Sequence, residues 1–405
     1  MLIIFFQNRN FRNFLLYQAF CGIGRGIFAI FMMWVVHFQY QNSMYTGIAG
    51  FMFAFPNVAS FIAGPFVDRR SKVALIRAAC YAQLCIAGLL LALSLTFQPA
   101  VWFLFIAIFV FQVANMISSP AETAYLPTIV DSDDLIKANA FIRITATIVG
   151  LSIGTLLYLL MARGAEFFVA YAINTSVLFI ALVFSIFIKS ASTAEKPTNK
   201  NYFTQLKDGL EYVKKGVIAH LVLVFMLTSI MGNMAYVNLP MFAEIHTGEA
   251  SGYIIFTAIG LVGGILGSYI ARAIGAKYKL SVIFICGFIA MGIARIIFVN
   301  IIDDNFRRAL WILALYAGLG SAVGIFFDSL QQKLLPEKII GRVSTINTSL
   351  FSIAASIGAL LGGVLGAILP NVDTVFVIQG AAYIIIGLCL CFSSHVRMLP
   401  KSNEL

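Results

Sequence analysis

Charge is what this sequence has least of. Only 11% of its 405 residues are Asp, Glu, Lys or Arg, while 60% are hydrophobic and the mean hydropathy is +0.94. A soluble domain is roughly a quarter charged, so helices apolar on every side leave no polar face for water. Acids are scarcer than bases, 17 against 27. The resulting formal charge of +10 belongs to a face that meets anionic cytoplasmic lipid, not to a nucleic-acid surface. The six cysteines lie inside apolar stretches and form no CxxC pair or metal-ligand spacing, which makes them packing residues and not redox or zinc groups. The four histidines sit near stretch ends with no metal spacing. GxxxxGK[ST] is absent, so nucleotide coupling within the chain is not expected, and neither is a cofactor or metal. No His/Asp pair occupies one stretch, which argues against an intramembrane enzyme. Met1–Phe6 is too short for the core of a signal peptide, and no cleavage site follows the long run after Arg12.

Present instead are twelve apolar stretches: Phe14–Phe38, Thr46–Val67, Val73–Leu95, Val101–Ser119, Ala140–Met161, Phe167–Ile188, Ile218–Phe242, Gly252–Ile274, Ser281–Ile302, Ala309–Leu330, Val343–Leu369 and Thr374–Ser393. Most are near the ~20 residues that cross ~30 Å of hydrocarbon. Lys and Arg fall into alternate gaps. Arg9 and Arg12 precede the first stretch, and Arg69, Arg70, Lys72 and Arg77 follow the second. Lys137 and Arg143, six lysines from Lys189 to Lys215, then Arg272, Lys277 and Lys279, Lys333, Lys338 and Arg342, and finally Arg397 and Lys401 continue the series. The other gaps hold only Arg163, Arg307 and Arg308. Cytoplasmic loops carry the excess of cations, so both termini are expected inside a multi-pass protein of the cell membrane.

The longest polar segment lies near the middle. Its Ser-, Thr-, Lys- and Asn-rich part contains Pro197 and reads as a linker. Phe203, Leu206, Leu210 and Val213 then recur at helical spacing, as in an amphipathic helix lying on the inner membrane face. The expected organisation is a six-helix bundle over 1–189, a cytoplasmic linker over 190–217, a second six-helix bundle over 218–394 and a short tail over 395–405. The halves resemble each other at an offset of roughly 205 residues: 133–137 precedes the fifth stretch as 338–342 precedes the eleventh, and Gly64 is placed like Gly267. Weak internal symmetry of this kind is retained by duplicated transporters. Glycine rows at Gly358, Gly362 and Gly366, at Gly150 and Gly154, and at Gly260, Gly263, Gly264 and Gly267 read as seams of close helix packing.

At Gly64-Pro65-Phe66-Val67-Asp68-Arg69-Arg70-Ser71-Lys72 the chain resembles the signature between spans two and three of the major facilitator superfamily. Residues 120–127, 206–213 and 336–343 are similar to segments of its drug:proton antiporter branch, which includes macrolide efflux pumps and the enterobactin exporter. The resemblance implies an all-α membrane fold of twelve transmembrane helices in two pseudo-symmetric bundles that rock about a central site. It also implies a likeness in work: proton-coupled export of a small amphipathic organic molecule, drug or macrolide-like, by a monomer embedded in the lipid bilayer. The alternative is export of an anionic metabolite such as a siderophore or lipid. A non-transporting scaffold or sensor is a remote alternative. Gly150 and Gly154 lack the proline that accompanies such glycines in a related branch, so direction stays open.

Candidate residues follow from cost. Arg25 lies about 16 Å into the first stretch, where a cation costs at least ~2.5–3.5 kcal/mol unless it meets a cavity or partner. It is a candidate for substrate or coupling. Asn57, Gln112, Asn115, Asn233 and Asn238 are uncharged candidates for the same cavity, with Gln379 beside them. Glu122 and Asp328 read as interfacial acids at the inner ends of stretches four and ten. They could carry protons or close an inner gate, Glu122 with Arg69 or Arg77 and Asp328 with Arg272 or Lys333. Gly64, Asp68, Arg69 and Lys72 are expected to gate. Arg295, in the ninth stretch, reads as structural, snorkelling or bound to carbonyls. No central acid is identified opposite Arg25, so cationic substrates and neutral or anionic ones stand at equal weight.

Overall fold

A computed structural model describes residues 8–61, 66, 70–96, 99–130, 138, 141–142, 145–146, 148–150, 153, 167–189, 211, 216–248, 251–275, 277–335 and 337–400. The main elements are helices: α1 (Arg9–Tyr40), α2 (Ser43–Ala54), α3 (Lys72–Ser94), α4 (Val101–Tyr125), α5 (Phe167–Ile186), α6 (Gly216–Tyr236), α7 (Leu239–Thr247), α8 (Ser251–Gly275), α9 (Leu280–Ile301), α10 (Phe306–Leu334), α11 (Glu337–Ile368), α12 (Asp373–Phe392) and α13 (Ser394–Arg397). Ten helices among the described residues are long and apolar enough to span a membrane. The expected stretches Thr46–Val67 and Ala140–Met161 run partly outside the described residues. The amphipathic helix expected over 203–213 lies almost wholly outside them, as do Gly64, Asp68 and Arg69.

Local chemistry sets several helix ends. Asn8 caps α1 by accepting from the Phe11 amide at 2.9 Å, so the helix begins five residues before its apolar stretch. Ser71 and Asn305 cap α3 and α10 in the same way. The expected seventh stretch, Ile218–Phe242, is two helices. The chain turns after Tyr236, Pro240 occupies the first turn of α7, and Gly248 ends α7 at φ 67°. At the end of α5, Arg77 donates to the carbonyls of Ser185 (3.0 Å), Ile186 (3.0 Å) and Ile188 (2.6 Å), placing a cation where the helix dipole is negative.

The chain divides into two compact units. One comprises Met1–Gln41 with Met52–Asn199, the other Asn42–Phe51 with Lys200–Leu405. In the first, α5 packs on α1 and α3, and α3 on α4. Phe14, Tyr17, Ile76, Tyr125 and Ala181 fill the core between them. In the second, α8 pairs with α10, α9 with α12 and α6 with α11, around Phe284, Phe288 and Phe327.

The glycine rows behave unequally. A Cβ on Gly358 or Gly362 would strike the α6 backbone at Ile230 or Met234, and one on Gly263 or Gly267 would strike α10 at Ala314 or Gly318. Gly260 and Gly264, on the same helix α8, face open space, as does Gly150. Close approach, not conformational freedom, therefore keeps Gly263 and Gly267 as glycine.

One polar clasp joins three elements of the second unit. The His246 ring on α7 donates from Nδ1 to Asp303 (2.6 Å), in the turn after α9, and from Nε2 to Asp373 (2.8 Å), at the start of α12. Two ionised carboxylates can both be satisfied only by two N–H donors, which is the imidazolium form of the ring. Burial works against that charge, but the hydrogen bonds to Asp373 and Asp303 outweigh it and raise the ring's pKa above its ordinary value. A raised folded pKa stabilises fully below the unfolded value of about 6.5 and ceases to do so as pH climbs through the folded one.

Two outcomes test these contacts. Gly263→Ala and Gly267→Ala will lower the unfolding temperature of the purified protein, whereas Gly260→Ala and Gly264→Ala will leave it unchanged or raise it slightly. His246→Ala will cost about 1–2 kcal/mol at pH 6, discounted because Asp303 is largely exposed. The difference from the parent will shrink in thermal melts as pH rises above the ordinary imidazole value of about 6.5.

Candidate functional site

The charge-bearing core of the first unit is assembled from α1 and α4. On α1, Tyr17, Cys21 and Arg25 recur every four residues and share one face. On α4, Ser118 and Glu122 are also four apart, with Pro120 between them. Pro120 has no N–H, so the carbonyl four residues back loses its helical donor and the helix is locally loosened at this level. Arg25 Nη2 donates to Ser118 Oγ at 2.8 Å and to Glu122 Oε1 at 2.8 Å. Tyr17 donates its hydroxyl to the same Oε1 at 2.9 Å. Gln18 approaches the other carboxylate oxygen at 3.4 Å. The ion-paired side chains are only 20% and 10% exposed.

This corrects two expectations. Glu122 pairs with Arg25, not with Arg77, whose guanidinium is committed to the end of α5. An acid opposite Arg25 does exist, and it is Glu122. Glu122 reaches a level between Tyr17 and Arg25 because α1 starts at Arg9, and because α4 continues past Pro120 to Tyr125.

Glu122 and Gln18 also line a cavity of about 330 Å³. Its other walls include Leu15, Gly22, Thr145 and Val149. Three buried polar atoms nearby have no protein partner: Gln18 Oε1, Arg25 Nε and Gln83 Nε2. Buried donors and acceptors left open in this way are costly unless something else meets them. The cavity wall thus carries the Glu122 carboxylate and the Gln18 amide in a largely apolar lining, with Arg25 bonded to that carboxylate.

The remaining candidates disperse. Gln112 donates to the Phe53 carbonyl at 3.1 Å. Asn57 lies half-buried in the 3-10 turn after α2, and Asn115 half-buried on α4. Asn233 donates within its own helix to Ser229. Asn238 is fully buried and donates to the carbonyls of Met234 and Gly362, so it ties α6 to α11. Lys72 opens α3 behind its Ser71 cap, and Asp328 is exposed on α10. All six cysteines are free thiols.

Arg295 is the residue that sequence reasoning misplaced. It neither snorkels nor binds carbonyls as its main contact. It is buried, donates from Nε to Gln379 Oε1 at 2.8 Å, and has the rings of Phe376, Tyr316 and Phe298 within 4.6, 4.8 and 5.5 Å. A basic residue in one apolar stretch and an amide in another were the available signals, but nothing along the chain joins them.

Removing one member of the Arg25–Glu122 pair leaves an uncompensated buried charge, a cost of about 3–5 kcal/mol. Glu122→Leu and Arg25→Met will therefore each lower the unfolding temperature. The double variant will be more stable than the sum of the two predicts, as read from a double-mutant cycle of thermal unfolding.

The whole chain can now be set beside known proteins. A family model described as the major facilitator superfamily matches residues 14–332. No curated protein sequence matches significantly. Among solved structures, the nucleoside transporter NupG is similar with a TM-score of 0.72 at 15% identity, covering 95% of this chain and 98% of that one. A bacterial homologue of the iron transporter ferroportin in its inward-facing state gives 0.71 at 14% identity, over 95% and 98% of the two chains. A D-xylose–proton symporter gives 0.69 at 13%, over 98% and 99%. At such identities the likeness carries the fold alone, and the family match carries membership. The chain belongs to the major facilitator superfamily.

Proposed function

We propose that the protein is a proton-coupled secondary transporter of the cell membrane that exports a small amphipathic organic molecule by alternating access. Twelve spans with both termini cytoplasmic accord with the alternation of cationic gaps. Two pseudo-symmetric bundles accord with the half-length offset. The observation that carries the reading is Glu122: one carboxylate bonded to Arg25 and Tyr17 on one side and open to a cavity on the other.

Such a carboxylate has two competing occupants. When ionised it can accept a hydrogen bond from a hydroxyl or ammonium of a molecule in the cavity. When protonated it loses much of its hold on Arg25 and no longer accepts as a charged group. Proton and cargo are then alternatives at one atom pair, and alternation at a shared group is exchange in opposite directions. Loss of the proton restores the ion pair and so removes the cost of an unpaired Arg25. Export is supported by the resemblance of residues 120–127, 206–213 and 336–343 to the drug:proton antiporter branch.

Inside-out vesicles containing the protein will accumulate radiolabelled erythromycin when their lumen is acidified, and will stop when a protonophore collapses the gradient. Glu122→Gln will cut gradient-driven uptake at least about tenfold, the effect expected when a group essential to the coupled step is removed, but will keep exchange of internal for external label. Uptake indifferent to the gradient, or a Glu122→Gln protein as active as the parent, is the contrary result.

A further inference from the structure

The second unit contains a separate cavity of about 260 Å³. Phe225, Phe288, Phe351 and Met291 line it, with Thr228, Ser229 and Tyr383 also at its wall. The Phe225 ring stacks on Phe327 at 4.0 Å, so the aromatic lining is braced from behind. Behind Tyr383 lies Arg295. Among the described residues no carboxylate forms an ion pair with this arginine.

The polarity of the connecting hydrogen bonds is forced. A guanidinium can only donate, so Gln379 must turn its oxygen towards Arg295. Its amide nitrogen then faces outward and donates to Tyr316 (3.0 Å) and Tyr383 (3.4 Å). Both phenol oxygens accept, which leaves each O–H to be donated onward. Tyr383 donates its own to the Thr228 carbonyl over 3.3 Å, a long bond that a better acceptor in the cavity could replace. The chain Arg295, Gln379, Tyr383 therefore ends in a donor at the wall of an aromatic cavity, with a cation at its root that no acid among the described residues pairs.

We infer that this cavity binds the apolar or aromatic part of a molecule whose hydrogen-bond acceptor, neutral or anionic, is taken by the Tyr383 hydroxyl, and that it disfavours cations. Arg295 and Gln379 act as positioning residues, since they reach the ligand only through Tyr383. The inference rests on the transport reading for its role and narrows the substrate class within it, but binding itself needs no transport. An aromatic box alone would welcome an organic cation. The buried guanidinium reverses that preference.

The test uses the full chain in nanodiscs and three probes that share one ring system: 1-naphthoate, 1-naphthamide and 1-naphthylmethylammonium. Equilibrium dialysis should show the anion and the amide binding at least about tenfold more tightly than the ammonium, the ratio that 1.4 kcal/mol produces. Tyr383→Phe should weaken the first two by about five- to tenfold, the worth of one hydrogen bond, and leave the third unchanged. Gln379→Glu should set a carboxylate against Arg295 and erase or invert the order of anion and cation, which mere loosening of the fold does not do. Met291→Trp should fill the cavity and weaken all three probes, and it serves if Tyr383→Phe does not fold. Equal binding of the ammonium by the parent, or binding unchanged in both Tyr383→Phe and Met291→Trp, overturns the inference. Glu122→Gln should keep the probe order while losing proton coupling, so the failure of one reading is distinguishable from that of the other.

Discussion

A charge taken out of water has to be answered by other groups in the protein, and the polar architecture of this chain follows from that constraint. With few charged residues overall, each one placed within an apolar helix stands out energetically. The first unit answers Arg25 with a carboxylate, a phenol and a serine hydroxyl. The second answers Arg295 with an amide and three aromatic faces. The two solutions differ in net charge, and that difference separates their chemistry. A neutral pair can open and close as a proton comes and goes. A lone cation held by rings cannot be switched in that manner and serves instead to orient the groups around it.

The same constraint explains where the helices yield. Pro120 falls between the two α4 residues that hold Arg25, so the loosened backbone and the ion pair occupy one level of the unit. Asn238 lies where α6 gives way to α7, and its amide closes the seam with α11 at the point where the backbone turns. Glycines at the α6–α11 and α8–α10 contacts let neighbouring backbones touch without side chains between them. At helix ends, Arg77 at the foot of α5 and the His246 clasp at α7 do what the buried networks do inside.

Much of this could be read along the chain, because hydrophobic length and glycine spacing are local properties. The stretches at Val73, Val101, Phe167, Gly252 and Ser281 begin within a residue of helices α3, α4, α5, α8 and α9. Errors arose where a boundary depends on something other than hydropathy. An asparagine cap extended α1, a proline split the seventh stretch, and a buried partner carried α4 beyond its apolar run. Arg25 announced itself by cost. Its partner did not, since Glu122 is 97 residues away along the chain. Arg295 and Gln379, 84 residues apart, illustrate the same limit: no periodicity encodes which two helices will meet.

The aromatic cradle around Arg295 has an electrical consequence. A cation fixed in a low-dielectric interior, with no carboxylate paired to it among the described residues, is a source of field. A charge that crosses the whole membrane exchanges about 2.3 kcal/mol with each 100 mV of potential. Any step that shifts Arg295 along the membrane normal would therefore draw on, or work against, the resting voltage. An anion held at the Tyr383 hydroxyl would offset part of that charge and reduce the work. The empty and the occupied protein would then differ in how strongly voltage biases their movements, even if they moved alike.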